Sequence, residues 1–183
     1  MVTARDIGER SLNLFSVSLA EAEIIAIIEE VTKAVFRLSQ LKIGGLIAIE
    51  RQAKLNVYIE SGIALDAKVS SEIIQSIFNP HSPVHDGGII IRGDRIMATS
   101  CLFPLSDNTN FSKIIGTRHR AALGITEHTD AVSIIASEET GEISVACDGR
   151  FIPIVNKDRL VNILKSLMIP EKRKKSRKET NPS

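Results

Sequence analysis

The longest uninterrupted run of apolar residues and glycine in this sequence is Ile43–Ile49, seven residues. A membrane-spanning helix needs about 20, so the run has the size of one buried strand, and its isoleucines suit that role. Shorter runs of the same character follow at Gly88–Arg92, Arg95–Pro104, Ala131–Ser137, Glu142–Ala146 and Arg150–Val155. Gly93-Asp94, Thr140-Gly141 and Asp148-Gly149 separate consecutive members and read as tight turns. Around these runs, apolar residues recur at helical spacing. Ile24, Ile27, Ile28, Val31, Val35 and Leu38 form one such face, and Ser18-Leu19-Ala20-Glu21 ahead of it has the capping-box pattern that starts a helix. Ser70 or Ser71 starts a second helix through Phe78, ended by the two prolines within Asn79–Pro83, and Phe111–His128 reads as mostly helical. Asn156–Met168 places Leu160, Ile163, Leu164 and Leu167 on one face and stops before Pro170. Strands and helices interleaved in one stretch predict an α/β single domain over residues 18–169, with a mixed central β-sheet flanked by helices. The hairpins make the sheet mixed rather than wholly parallel. Gly44 and Gly45, in the first strand, leave room for another backbone or a ligand to come close.

Residues 1–17 read as a lead-in segment. Arg5, Glu9 and Arg10 alternate there with Leu12, Leu14 and Phe15, as in a short amphipathic helix. Residues 170–183 read as a basic, disordered tail, too poor in apolar residues to fold alone. The tail changes what the net charge of +1 means. Glu171–Ser183 holds six Lys or Arg and two Glu, which leaves 17 basic and 20 acidic residues in the remainder, a net of −3. A mildly acidic body is not a nucleic-acid-binding surface. One Tyr and no Trp also remove the stacking platform of single-strand binders. No nucleic-acid partner is expected. The six cations of the tail are candidates for holding an anionic membrane surface. Cys101 and Cys147 sit in apolar strand-like stretches with no CxxC or His spacing nearby. They read as buried thiols of a reducing compartment, so a cytoplasmic location is expected.

Three clusters carry the chemistry. Pro83-Val84-His85-Asp86-Gly87-Gly88 enters an apolar strand. An aspartate there suits a divalent cation or a proton, His85 is a second candidate ligand, and the glycines admit a bulky substrate. The same residues equally suit a plain turn that Asp86 caps. Gly116-Thr117-Arg118-His119-Arg120 leads into a helix and offers N–H groups, a hydroxyl and two guanidinium groups to an anion. Arg118 and Arg120 are two apart and point nearly opposite ways on a regular helix. They grip one polyphosphate only if that turn is irregular, and otherwise serve two partners. Ser137-Glu138-Glu139-Thr140-Gly141 closes an apolar strand with carboxylates that complete a hard-metal site with Asp86, or simply lie solvated. Together these are the groups phosphoryl or nucleotidyl transfer requires. There is no G-x-x-x-x-G-K-[ST] loop and no G-x-S-x-G element.

On these clusters the sequence resembles the diadenylate cyclase domain, which joins two ATP molecules into the bacterial second messenger cyclic di-AMP. The resemblance runs from about Ala22 to Leu167. The family's Asp-Gly-Ala motif falls on Asp86-Gly87-Gly88, and its Arg-His-Arg motif on Arg118-His119-Arg120. The stretches Ile43–Arg51, Cys101–Asp107 and Ser137–Gly141 are also similar to the family. The resemblance implies the diadenylate cyclase fold, one ATP per subunit, and a face-to-face homodimer in which each ribose 3′-oxygen attacks the other's α-phosphorus. It implies Asp86, Gly87, Gly88, Arg118, His119 and Arg120 as catalytic motif residues. Gly116, Thr117, Arg118, Arg120, Ser137 and Glu138 would hold the triphosphate side, and Leu102 and Phe103 the adenine. Mg²⁺ or Mn²⁺ would be held by Asp86 with His85 and Glu138. Two positions depart from the family: Gly88 stands where it has alanine, and Leu102 where an aromatic adenine neighbour is common. Gly88 is the feature that keeps open a second reading, a catalytically weak or inactive nucleotide-sensing module. Related cyclases are tethered by an N-terminal membrane segment. None stands in this sequence, so the expectation is a natural short form or the soluble part of a tethered enzyme.

Overall fold

The computed structural model describes residues 4–108 and 116–170, with side chains from residue 20 onward. In chain order the elements are α1 (Ala4–Leu41), β1 (Gly45–Ile49), α2 (Asn56–Glu60), β2 (Ile63–Lys68), α3 (Ser71–Phe78), β3 (Gly88–Arg92), β4 (Arg95–Cys101), α4 (Thr117–His128), β5 (Val132–Ala136), β6 (Ile143–Cys147), β7 (Arg150–Ile154) and α5 (Lys157–Met168). The strands form one seven-stranded sheet in the order β2-β4-β3-β1-β5-β6-β7. Only β1 and β3 pair in parallel, and every other neighbour is antiparallel, so the sheet is mixed as expected.

Alternation along the central strands divides the core in two. Ile47 and Ile49 of β1, with Ile89 and Ile91 of β3, join the cluster beneath α1, α3 and α5. Leu46, Ala48 and Ile90 point the other way, into the cluster beneath α4 and α2. Because both faces are covered, β1 is buried along its whole length, which is why it reads as a continuous apolar run. The helical face seen in the sequence lies where expected: Ile28, Val31, Val35 and Leu38 of α1 are fully buried. Ser70 caps α3 by accepting from the Ile73 N–H at 3.2 Å, and Asn156 caps α5 by accepting from the Arg159 N–H at 2.8 Å.

One expectation changes. The first helix does not start at Ser18. It runs without a break from Ala4, so Ser18–Glu21 lies inside it rather than at its start. A capping-box pattern starts a helix only where something stops the preceding turn, and once a helix exists each further residue adds a hydrogen bond. Helix α2 and strand β2 were not legible in the sequence. The 111–115 part of the expected Phe111–His128 helix, and residues 171–183 with the basic tail, lie outside the described residues. No helix among the described residues is long and apolar enough to cross a membrane.

Candidate active site

A cleft of about 690 Å³ opens on the α4 face of the sheet. It lies at the amino ends of the parallel pair β1 and β3, where Leu46 forms part of its lining. One wall is Asp86-Gly87 with Ser100–Phe103 and Leu105. The other is Gly116–His119 with Ser137–Glu139. All three chemistry-bearing clusters of the sequence therefore contribute to one site.

The first wall is shaped by an irregular strand pair. Gly88 pairs with Cys101 and Ile90 with Ala98, so two steps of β3 oppose three of β4. The extra residue bends β4 at the cleft. Ser100 takes a left-handed φ of +54° there, with its hydroxyl donating to the Val84 carbonyl at 3.2 Å. Gly87 also has a positive φ, +83°, and a side chain on it would meet the Cys101 carbonyl oxygen at 2.9 Å. The glycine is needed because backbone meets backbone here. This turn presents Asp86 exposed, with one carboxylate oxygen accepting from the Gly87 N–H at 3.0 Å. Cys101 lines the same wall, and burial pushes its thiol up to about 11. It is a neutral packing group at physiological pH, not a nucleophile.

The second wall is built around the start of α4. Gly116, its N-cap, offers no side chain to the first-turn N–H groups, and Gly116, Thr117 and Arg118 all line the cleft. Arg118 donates from Nη1 to Glu138 Oε2 at 2.7 Å. Its buried Nε has no hydrogen-bond partner among the described residues. An orphaned donor of that kind is what an incoming anion completes. Gly44 makes room for the pair: a Cβ on it would lie 2.6 Å from Arg118 Nη1 and 3.0 Å from Glu138 Oε2. His119 is half-buried, its ring edge-on to Phe151 with centroids 5.8 Å apart. Burial lowers its pKa, against an opposing pull from Glu139 and Glu142, so it faces the cleft as neutral imidazole at pH 7.

Arg118 and Arg120 serve different partners, the second of the two outcomes their spacing allowed. Arg120 Nε donates to the Ser106 carbonyl at 3.0 Å, and the Ser106 N–H donates back to the Arg120 carbonyl at 3.0 Å. Asp107 approaches the guanidinium at 3.8 Å. Arg120 thus ties the 102–108 stretch to α4 and does not line the cleft. Gly124 lets the same stretch lie directly on α4, with the Pro104 carbonyl where a side chain would be. Gly88 is also outside the lining, buried beneath Phe103. Of the residues expected at the adenine, Leu102 is 69% exposed and Phe103 only 8%.

The expected metal ligands are not gathered into one three-residue site. Among the described residues, no three His, Cys, Asp or Glu side chains converge to hold a metal. His85 does not line the cleft. Its Nδ1–H donates to the Ser82 carbonyl at 2.6 Å, which leaves the lone pair on Nε2. Glu138 is drawn into its ion pair with Arg118. What remains is two carboxylates, Asp86 and Glu138, on the cleft walls. Hard oxygen donors in that number fit Mg²⁺ or Mn²⁺, which complete their coordination with water and substrate phosphates.

The model of a nucleotide-binding family, described as DisA bacterial checkpoint controller nucleotide-binding (DAC), matches residues 32–151. The chain belongs to the DAC family. Every wall of the cleft lies within the matched span. Among curated relatives, the chain is similar to the cyclic di-AMP synthase CdaA of Bacillus subtilis, at 51% identity over 67% of this chain and 45% of that protein. A diadenylate cyclase of Mycoplasma genitalium is 39% identical over 81% of this chain and 74% of that one. The chain thus spans less than half of the Bacillus protein's length. Among solved structures, DacA from Staphylococcus aureus, as a double mutant, superposes with a TM-score of 0.77 at 42% identity, covering 79% of this chain and 97% of that one. The seven-stranded mixed sheet is therefore the fold of a DAC relative. Sequence reasoning missed Leu46, Ser100 and Leu105 in the lining, and Tyr58 behind Phe103. Leu46 and Ser100 lie in the apolar strand runs and Leu105 in the Cys101–Asp107 stretch, but nothing in the sequence assigned those residues to the cleft.

Proposed function

We propose that this chain is a diadenylate cyclase that condenses two ATP into cyclic di-AMP and releases two pyrophosphates. The observation that carries the reading is one cleft holding an exposed Asp86 on one wall, with Arg118 and the uncapped start of α4 on the other. The relatives named diadenylate cyclase or cyclic di-AMP synthase support it.

In this reading, Arg118, Thr117 and the Gly116–Arg118 N–H groups bind the triphosphate. Asp86, exposed on the cleft wall, orients the ribose 3′-hydroxyl and accepts its proton. Leu102 and the edge of Phe103 take the adenine. Asp86 and Glu138 would hold a divalent cation, which would supply charge neutralisation at the α-phosphate and acidify the attacking hydroxyl. His85 joins them only through Nε2. Arg120 acts at a distance, by holding the 102–108 stretch that carries the adenine contacts. Each 3′-oxygen forms a bond to the α-phosphorus of the other nucleotide, and the bond to the departing pyrophosphate breaks. One cleft holds one nucleotide, so the reaction requires two chains face to face.

Incubating the protein with ATP and Mg²⁺ or Mn²⁺, and reading cyclic di-AMP by mass spectrometry, tests the proposal. Product is expected from wild type and not from Asp86→Asn. Activity per molecule is expected to rise steeply with concentration while the chain is dilute. Equal background signal from both proteins, across metals and concentrations, would overturn it.

A further inference from the structure

Gly88 is the position where the motif departs from alanine, and the structure gives the departure a physical cause. A Cβ built on Gly88 would lie 2.6 Å from Cε2 and 2.9 Å from Cζ of Phe103, and 3.2 Å from Cγ of Leu46. The phenyl ring occupies the volume an alanine methyl would fill. It is held there from behind: Tyr58 of α2 meets it edge-to-face, with centroids 6.1 Å apart and planes at 89°. Its remaining exposed edge, 8% of the residue, lines the cleft.

We infer that Gly88 is a positioning residue for the base end of the cleft. Its missing side chain seats Phe103 deep against β3, so that the ring forms the floor under the nucleotide base rather than an obstruction. The reasoning is steric. A methyl at residue 88 leaves the ring no place over β3, and Tyr58 closes the side toward α2. Strand β3 cannot recede, because Ile89, Ile90 and Ile91 are fully buried between the two core clusters. The free direction is the cleft, and overpacked side chains move toward free volume. The departure from the family alanine is then a matched pair, a lost methyl against a large ring, and not a sign of weakened function. The nucleotide part of this inference rests on the proposed function, while the placement of the ring does not.

The test uses the full chain and four proteins: wild type, Gly88→Ala, Phe103→Leu, and the double variant. Leucine lacks the two ring atoms that the methyl would strike. Calorimetry with ATP and Mg²⁺ is expected to show binding weakened about tenfold in Gly88→Ala, and Phe103→Leu is expected to cost clearly less in the Gly88→Ala background than in wild type. A crystal structure of Gly88→Ala is expected to show the Phe103 ring displaced into the cleft. Wild-type affinity in Gly88→Ala overturns the inference, as does a fold-loss in the double variant equal to the product of the two single losses. If wild type itself binds no ATP, the proposed function fails, and the ring position in the Gly88→Ala structure alone decides this inference. A ring unmoved from its wild-type place overturns it.

Discussion

The two faces of the sheet are built from different residues, and the difference explains why one holds a site. The α1–α3–α5 face is closed by large side chains: Ile47, Ile49, Ile89, Ile91 and Ile96 from the strands, with Ile28, Leu38, Ile74 and Phe78 from the helices. The α4 face is richer in alanine: six of the fourteen described residues in its buried cluster, among them Ala48, Ala98 and Ala146 in the strands and Ala121 and Ala122 in the helix, against two of twenty-two on the other face. Branched side chains fill space and hold helices off the sheet by their own bulk. Small ones bring backbone close to backbone, as at Gly124 beneath Pro104, and that exposes N–H groups and polar termini to one volume. The second face surrenders apolar burial at its open end, and the cleft lies there. The two faces should therefore fail differently when cut.

The largest effect is expected from Asp86→Asn. Cyclic di-AMP formation should fall by roughly a thousandfold, while the thermal melt stays within a degree or so of wild type, because the side chain is exposed. A large loss of stability would break the comparison. On the closed face, Ile28→Ala should do the reverse. Urea denaturation should show about 3 kcal/mol lost, since Ile28 has 0% exposure, with ATP affinity of the folded protein unchanged.

Acid should act on the end of β1 away from the cleft. Glu50 accepts from Arg92 Nε and Nη2 at 2.9 and 2.7 Å, from the Leu55 N–H at 3.0 Å and from Lys54 at 3.0 Å. Burial pushes its carboxyl up, but these bonds outweigh that and hold it down at about 2, against 4.5 unperturbed. The unfolded chain takes up the proton first. The stabilisation is thus present above pH 4.5 and is lost as the pH falls toward 2. Urea midpoints measured across that window should show the loss in wild type and a flatter profile in Glu50→Gln.

Arg118→Ala should weaken ATP binding by about 2 kcal/mol, near thirtyfold, by calorimetry. Its effect on the melt should be small, since its Glu138 partner is 60% exposed. The smallest expected effect is at Gly44→Ala, whose methyl would intrude between Arg118 and Glu138. A loss of about threefold in ATP affinity is expected, with rescue absent when Glu138 is also replaced by Gln. An unchanged affinity would show that the pair needs no gap beneath it.

Most of the sheet was legible because its strands are short apolar runs ended by glycine turns, a pattern with few alternatives. Helix α2 was not, since its five residues carry no side-chain cap and none is buried. Strand β2 was not, because it is an edge strand whose residues are almost all exposed, so no alternation marks it. It is held by pairing with β4 and by Arg95, whose guanidinium reaches the Asp66 carboxylate at 2.9 Å and the Asp66 carbonyl. The capping-box pattern at Ser18 misled because it is purely local.

By itself the sequence determined the class of fold, the three chemistry-bearing clusters and the opposite directions that Arg118 and Arg120 take on a regular helix, because periodicity and backbone geometry are local properties. Tertiary structure alone decided the partners. It gave Arg118 to Glu138 and Arg120 to the 102–108 stretch, kept His85 out of the cleft lining, and set a phenyl ring where the motif expects a methyl. Those outcomes depend on which surfaces a twisted sheet brings within a few ångströms of each other, and no spacing along the chain encodes that distance.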